Sequence, residues 1–200
     1  MPRKILIRTR NHVYHITSRS NAKEWFYIPI EECWKICLGL LEKGQNDFQI
    51  ELHAFVLMSN HYHMLIKTPH CDIDKFMHFF NKTLSSRINM ATGRINHVLG
   101  GSYKWSIIDN HSYYSNAIKY IYQNPVRASV SKNVESYPFS TVDKCRCKNI
   151  ELKSYLDPLD LNWLNGIFST SENERIKKGF KRAYFRPSYE PRTRKHKMIM

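Results

Sequence analysis

The amino-acid sequence predicts an α+β chain in which a four-stranded antiparallel sheet carries helices on one face, with a basic extension at the C-terminus. Three observations lead there. Short runs rich in β-formers are interleaved with two segments whose apolar residues recur every three or four positions. Their order is strand, helix, strand, strand, helix, strand, that of a split βαβ unit. Beyond Val130 this periodicity weakens, while positive charge accumulates toward the C-terminus.

The first strand is expected in His12-Val-Tyr-His-Ile-Thr-Ser-Arg19, which alternates and is rich in β-formers. Pro29 opens a helix expected to run through Lys43, with Gly44 after it as a stop signal. Phe48 to Leu57 reads as a second strand and Tyr62 to Thr68 as a third, joined by a turn at Met58-Ser-Asn60. From Cys71 to Thr92, Ile73, Phe76, Met77, Phe80, Leu84 and Ile88 keep helical spacing, and Asp72 or Asp74 suits the positively polarised N-terminus. Ser102 to Ile108 is the fourth strand, and Ser112 or Ser115 can start a helix that Pro125 ends. The set corresponds to a ferredoxin-like or RRM-like sheet, an architecture that often handles nucleic acids. An edge segment is expected near Tyr137-Pro-Phe-Ser-Thr141. We expect residues 1–145 to form the principal domain and residues 146–200 an accessory segment with a basic DNA-binding tail.

Two hundred residues with 42% hydrophobic content can bury a real core, and the size favours one domain with appendages. Lys and Arg number 31 against 17 Asp and Glu, a net charge of +14 that makes a polyanion the leading partner. No apolar run approaches the roughly 20 residues needed to span a bilayer, and the first ten residues have too short an apolar core for a secretory signal. A cytoplasmic, nucleoid-associated protein with no membrane partner is expected. Cys33, Cys37, Cys71, Cys145 and Cys147 are odd in number and lack paired Cys-x-x-Cys spacing, so they read as reduced thiols outside any metal site.

Chemistry concentrates in Phe55-Val-Leu-Met-Ser-Asn-His61-Tyr-His63-Met-Leu-Ile66. Residues two apart on a strand share a face, so His61 and His63 would present two imidazoles side by side, half of a metal site. The other half is sought in Lys119-Tyr120-Ile-Tyr-Gln-Asn124-Pro125, where Tyr120 and Asn124 lie four apart on one helical face. In isolation a His-x-His pair is more often two hydrogen-bonded histidines, and a Tyr-rich helix usually packs its rings in a core. Both motifs together, on a compatible strand pattern in a basic chain, weigh toward catalysis.

These residues resemble a known family. His61-Tyr62-His63 followed by Tyr120-Ile-Tyr-Gln-Asn124-Pro-Val-Arg-Ala128 looks like the single-tyrosine HUH transposases, specifically the REP-associated tyrosine transposases, with an IS200-like transposase domain. Val13-Tyr-His-Ile-Thr-Ser-Arg-Ser-Asn21 resembles that family's first strand, so the likeness spans roughly residues 12–141. The resemblance implies that His61, His63 and Asn124 bind a divalent metal, Mg2+ or Mn2+, and that Tyr120, not Tyr122, is the nucleophile. It implies single-stranded DNA with hairpins as partner, and a monomer or homodimer. The chain departs from the family at Ser129-Val-Ser131, where Gly-Leu-Val is common, and at Phe139-Ser-Thr141, where Trp usually precedes two serines. The catalytic set is intact.

A phenol titrates near about 10 and needs a polarised phosphate to react at neutral pH. Two neutral imidazoles and an amide oxygen, with positions left for water and phosphate, suit a Lewis-acid ion better than a closed structural zinc. Attack by Tyr120 would leave a 5′-phosphotyrosine and a free 3′-hydroxyl, reversible without ATP, and the chain has no phosphate-binding loop motif. From Arg175 to Lys197 ten basic residues face Glu190 alone, supplying +9 of the net charge, with Phe180, Tyr184, Phe185 and Tyr189 interspersed for base stacking. We take Arg127, Lys181, Arg182, Arg186, Arg192, Arg194 and Lys195 as DNA-binding candidates, and Trp25, Phe26, Tyr27 and Trp105 as residues that either stack on bases or fill the core. The rival reading is a non-catalytic, structure-specific nucleic-acid-binding protein using the same sheet and tail.

Overall fold

The computed structural model describes residues 5–156 and 159–186. Its strands β1 (Val13–Arg19), β2 (Glu51–Leu57), β3 (His61–Lys67) and β4 (Lys104–Ile108) form one antiparallel sheet in the order β2-β3-β1-β4. Helices α1 (Ile30–Phe48) and α2 (Ile73–Thr92) fill the two connections of the split βαβ unit. They are followed by α3 (His111–Tyr122), α4 (Asn124–Arg127), α5 (Leu161–Asn165) and α6 (Thr170–Gly179). No helix among the described residues is long and apolar enough to cross a membrane.

Helices α1 and α2 of the split unit cover one face of the sheet as expected, and α3, which follows it, covers the other. Strand alternation gives the reason. Tyr14, Ile16, Tyr62, Met64, Ile66, Trp105 and Ile107 point toward α1 and α2. Val13, Leu65 and Ile108 point the opposite way, into a second core with Tyr114, Ala117, Ile118 and Ile121 of α3. A strand apolar on both parities must be covered on both faces.

In β2 the register shifts between Leu52 and Ala54, and the bulged His53 turns inward, its Nδ1 3.0 Å from the Tyr114 hydroxyl. The bulge resets parity, so Ala54 and Val56 face α3 while Phe55 and Leu57 face α1. Both sheet edges are closed by chain from outside the four strands. On β2, Leu57 donates to the Phe139 carbonyl and Thr141 to that of Phe55, which bears out the expected edge segment. On β4, Ile107 donates to the Ala183 carbonyl and accepts from Phe185 N–H, both at 2.8 Å. Each edge is thus partly covered against intermolecular pairing.

Helix α1 was expected to stop at Lys43 but continues through Gly44 to Phe48. A buried Gly44 is required there not for a turn but for proximity: an added Cβ would lie 2.5 Å from the Phe76 ring of α2 and 3.0 Å from Ile50. Gly39 in the same helix has nothing within 4 Å of that position. We expect Gly44→Ala to destabilise the protein by about 1–2 kcal/mol, overpacking outweighing the gain in helix propensity. Gly39→Ala should instead gain about 0.5–1 kcal/mol. Urea unfolding of the two variants checks this, and equal gains at both sites would show that α1 and α2 are not in close contact.

Candidate active site

His61 opens β3 immediately after the turn, where Met58 donates to its carbonyl at 2.8 Å. It shares with His63 the sheet face covered by α3, and the two rings stand 5.2 Å apart, nearly perpendicular. Each has one nitrogen already engaged. Asn60 Oδ1 lies 2.7 Å from His61 Nδ1, and His15 Nε2 lies 2.9 Å from His63 Nδ1. If both Nδ1 atoms carry the proton, the Asn60 oxygen and the His15 nitrogen accept, and each ligand-grade Nε2 lone pair is left over.

Helix α3 brings the third component. It starts on an Asn110 cap whose side chain accepts from Ser112 N at 2.8 Å, rather than on Ser112 or Ser115 themselves. Ala117, Ile118 and Ile121 seat it on the second core, and this rotation sets the Tyr120 ring 6.2 Å from the His63 ring. Tyr122 turns elsewhere. It is buried, with its hydroxyl 3.2 Å from Thr141 Oγ1 and burial holding its phenol well above the usual range. Past Gln123 the chain stays helical into α4, so Asn124 follows Tyr120 on the same side. Its Nδ2 donates to the carbonyls of Tyr120 at 3.1 Å and Ile121 at 3.2 Å, so the amide is held by its nitrogen and Oδ1 is the atom a cation would take.

Charge around the pair is positive. Burial pushes the His61 imidazole down to about 4, and Arg19 adds to the effect. His63 is held well below its ordinary value, by burial first and then by His15, His61, Arg127 and Arg19. Both are therefore neutral near pH 7, the form that coordinates metal. The Arg127 guanidinium lies 3.8 Å over the Tyr120 ring. Among the described residues no group of three or more His, Cys, Asp or Glu is placed to hold a metal ion. The donors the structure brings together on this face are two imidazole nitrogens, a set that fits a hard-to-borderline divalent ion with open positions.

Sequence reasoning did not single out His15, Asn60 or Arg19 for this face, nor the contact made by Phe180. That ring sits 3.9 Å from His15 and 5.1 Å from Tyr120 by centroid, closing the face, and stacks on Phe185 at 4.3 Å. His15 and Arg19 follow from strand parity, and Asn60 from adjacency to His61. Phe180 carried no local signal of its partners. The tail expectations change accordingly: Phe185 is fully buried, not a stacking surface, and Arg186 is bound bidentately to Asp109 at 2.7 and 2.8 Å. Lys181 and Arg182 are exposed. Arg192, Arg194, Lys195 and Tyr189 lie outside the described residues. Phe26 and Trp105 are core residues, whereas Trp25 is exposed.

A split βαβ sheet with a His-x-His strand facing a tyrosine on an overlying helix defines a single-tyrosine nuclease of the HUH class. The chain belongs to the family described as transposase IS200 like, whose model matches residues 8–124. It is 28% identical over 140 residues to the REP-associated tyrosine transposase of Escherichia coli (strain K12), covering 67% of this chain and 74% of that one. Its fold is similar to a solved REP-associated tyrosine transposase bound to a REP hairpin, with a TM-score of 0.60 and 19% identity, covering 84% of this chain and all of that one. The chain is thus a single-tyrosine HUH transposase by family.

Burial of neutral imidazoles makes stability depend on pH. His53, like His61, is pushed down to about 4 by burial, with Lys67 adding to it. Because folded values lie below the unfolded value of about 6.5, the contribution is complete above pH 6.5 and is lost as pH falls to about 4. Each histidine can cost up to about 1.4 kcal/mol per pH unit across that window. The thermal midpoint in chelator should fall steadily from pH 6.5 to 4.5, and less steeply in His53→Gln. A flat midpoint over this range would contradict the burial of these rings in the folded state.

Proposed function

We propose that this chain nicks and rejoins single-stranded DNA through Tyr120, acting on DNA that folds into hairpins. The observation that carries the reading is the convergence of His61, His63 and the Tyr120 ring on one face of the sheet. Family membership supports the strand-transfer chemistry, and the similar structure of a transposase bound to a REP hairpin supports the choice of substrate.

His61 Nε2, His63 Nε2 and Asn124 Oδ1 would hold a divalent ion, Mg2+ or Mn2+, which when bound supplies Lewis-acid polarisation of the phosphate and orients the scissile bond. The remaining work belongs to the side chains. Asn60 and His15 keep each imidazole turned with one nitrogen outward. Arg19 and Arg127 add positive charge where the phosphate must sit, and Arg127 restricts the Tyr120 ring from above. The Tyr120 oxygen attacks phosphorus and the bond to the 3′ oxygen breaks. The phenol loses its proton and the departing 3′ oxygen gains one, leaving a 5′-phosphotyrosine and a 3′-hydroxyl. A second DNA 3′-hydroxyl then attacks the same phosphorus and releases Tyr120. One phosphodiester replaces another at each step, so no nucleotide triphosphate is consumed.

On this reading residues 1–145 carry the chemistry, and residues 146–200 add affinity through basic groups such as Lys181 and Arg182. Phe180 has a second role: with its ring against His15 and Tyr120, DNA reaches the site only when the C-terminal end of α6 lifts.

The decisive experiment is incubation with hairpin oligonucleotides carrying unpaired flanks and Mn2+, followed by denaturing electrophoresis. A covalent protein–DNA band is expected with the natural chain and with Tyr122→Phe, and none with Tyr120→Phe, although Tyr120→Phe should bind hairpin normally. Chelator should abolish the band without unfolding the protein, since the ion is not structural. Unaltered adduct from Tyr120→Phe would transfer the chemistry to another residue, and absence of any adduct across a broad hairpin panel would favour the non-catalytic binding protein.

Opening the covered face gives a separate expectation. Phe180→Ala removes the ring while leaving Tyr120, His61 and His63 in place, and adduct formation should accelerate several-fold. A slower or unchanged rate would mean that Phe180 supports the active arrangement instead of obstructing it.

A further inference from the structure

The segment between β1 and α1 folds back on the turn that precedes His61. Phe26 N–H donates to the Ser59 carbonyl at 2.7 Å, and Asn60 Nδ2 donates to the Lys23 carbonyl at 2.7 Å. The same Asn60 side chain holds His61 through its oxygen. One amide therefore ties this loop to the proposed metal-binding imidazole. The loop is held in an unfavourable backbone conformation to do so: Ala22 and Lys23 are both left-handed, with φ of 53° and 63°, where neither is a glycine.

Trp25 is the residue this loop displays. It is 75% exposed although its neighbour Phe26 is 5% exposed in the core. Two residues further along the chain, the Arg94 guanidinium lies 3.6 Å over the Tyr27 ring, forming a second flat surface. Lys23 and Arg19 are exposed, and the one acidic side chain in the loop, Glu24, is engaged by the Tyr27 hydroxyl at 2.8 Å. The surface is aromatic and basic, with its acid already partnered. Flat rings set among cations match the two faces of an unpaired nucleotide, its base and its phosphate.

We propose that Trp25, with the Arg94–Tyr27 stack two residues further along, is the step on which an unpaired base of the DNA strand rests as that strand enters the His61–His63–Tyr120 face. The inference rests on the single-stranded DNA reading above and adds to it where the strand is gripped. The Trp25 loop is bonded to the turn at Ser59–Asn60 that immediately precedes His61, so a strand approaching His61 across this turn meets it. Stacking is indifferent to base identity, so this step holds the flank while leaving the choice of hairpin to other contacts.

The test is equilibrium binding of the full chain, in chelator so that no chemistry intervenes, to two labelled DNAs: a blunt hairpin, and the same hairpin with short unpaired flanks. Trp25→Ala should weaken binding of the flanked hairpin about ten- to hundred-fold and leave the blunt one unchanged, and Trp25→Phe should restore most of the loss. Trp34 and Trp105 are buried and Trp163 is half-buried beneath the Lys119 ammonium, so the share of tryptophan quenching by the flanked DNA that belongs to Trp25 is the share lost in the alanine variant. Equal weakening for both DNAs, no weakening, or a change in oligomeric state without a change in flank affinity would overturn the proposal. The covalent adduct reports independently on the nuclease reading. Selective loss of flank affinity in a protein that never forms an adduct would retain the stacking step and remove the transposition chemistry, whereas adduct formation with no Trp25 effect would do the reverse.

Discussion

Strand β3 is paired on both sides, with β1 and with β2, and its two parities face two different cores. Tyr62, Met64 and Ile66 are locked beneath α1 and α2, which leaves His61, His63 and Leu65 no choice but the face under α3. A slip of one residue in this register would bury the imidazoles among aliphatic side chains and bring Tyr62 and Met64 under α3. Because both neighbours of β3 are antiparallel and both of its faces are apolar apart from the histidines, register is over-determined. The site is in this sense a by-product of core packing, held to the precision of the core.

The same burial sets the electrostatics. Imidazoles taken out of water hold protons poorly, and Arg19 and Arg127 make the charged form more costly still. The result is a pair of neutral nitrogen donors in a positive field. Asn60 and His15 each engage one ring nitrogen of the pair, so a substitution at either would loosen ring orientation while leaving both imidazoles in place.

The C-terminal part of the described chain shows how charge composition can mislead about location. Lys- and Arg-rich sequence reads as solvent-facing, yet Phe185 is fully buried against α3, and Arg186 is fixed to Asp109 by two hydrogen bonds. This segment closes the β4 edge and delivers Phe180 to the active face. An edge strand needs a cover, and a nearby run with an aromatic every few residues supplies one while keeping its cations outward.

The sequence by itself determined the strand and helix order, the antiparallel hairpin that ends in His61 and His63, and the helix that carries Tyr120, because each is a local pattern of period two or near four. The choice of Tyr120 over Tyr122 came from the family motif, and in the structure the Tyr122 hydroxyl lies against Thr141. Other features depended on partners distant in the chain. Which face α3 covers follows from parity across four strands and a bulge at His53. The partner of His63 is His15, 48 positions away, and the cover over both is Phe180. Gly44 read locally as a helix stop, yet it is a point of close approach to Phe76. Local periodicity encodes what an element is, whereas the identity of what it touches is a property of the closed sheet and its two cores.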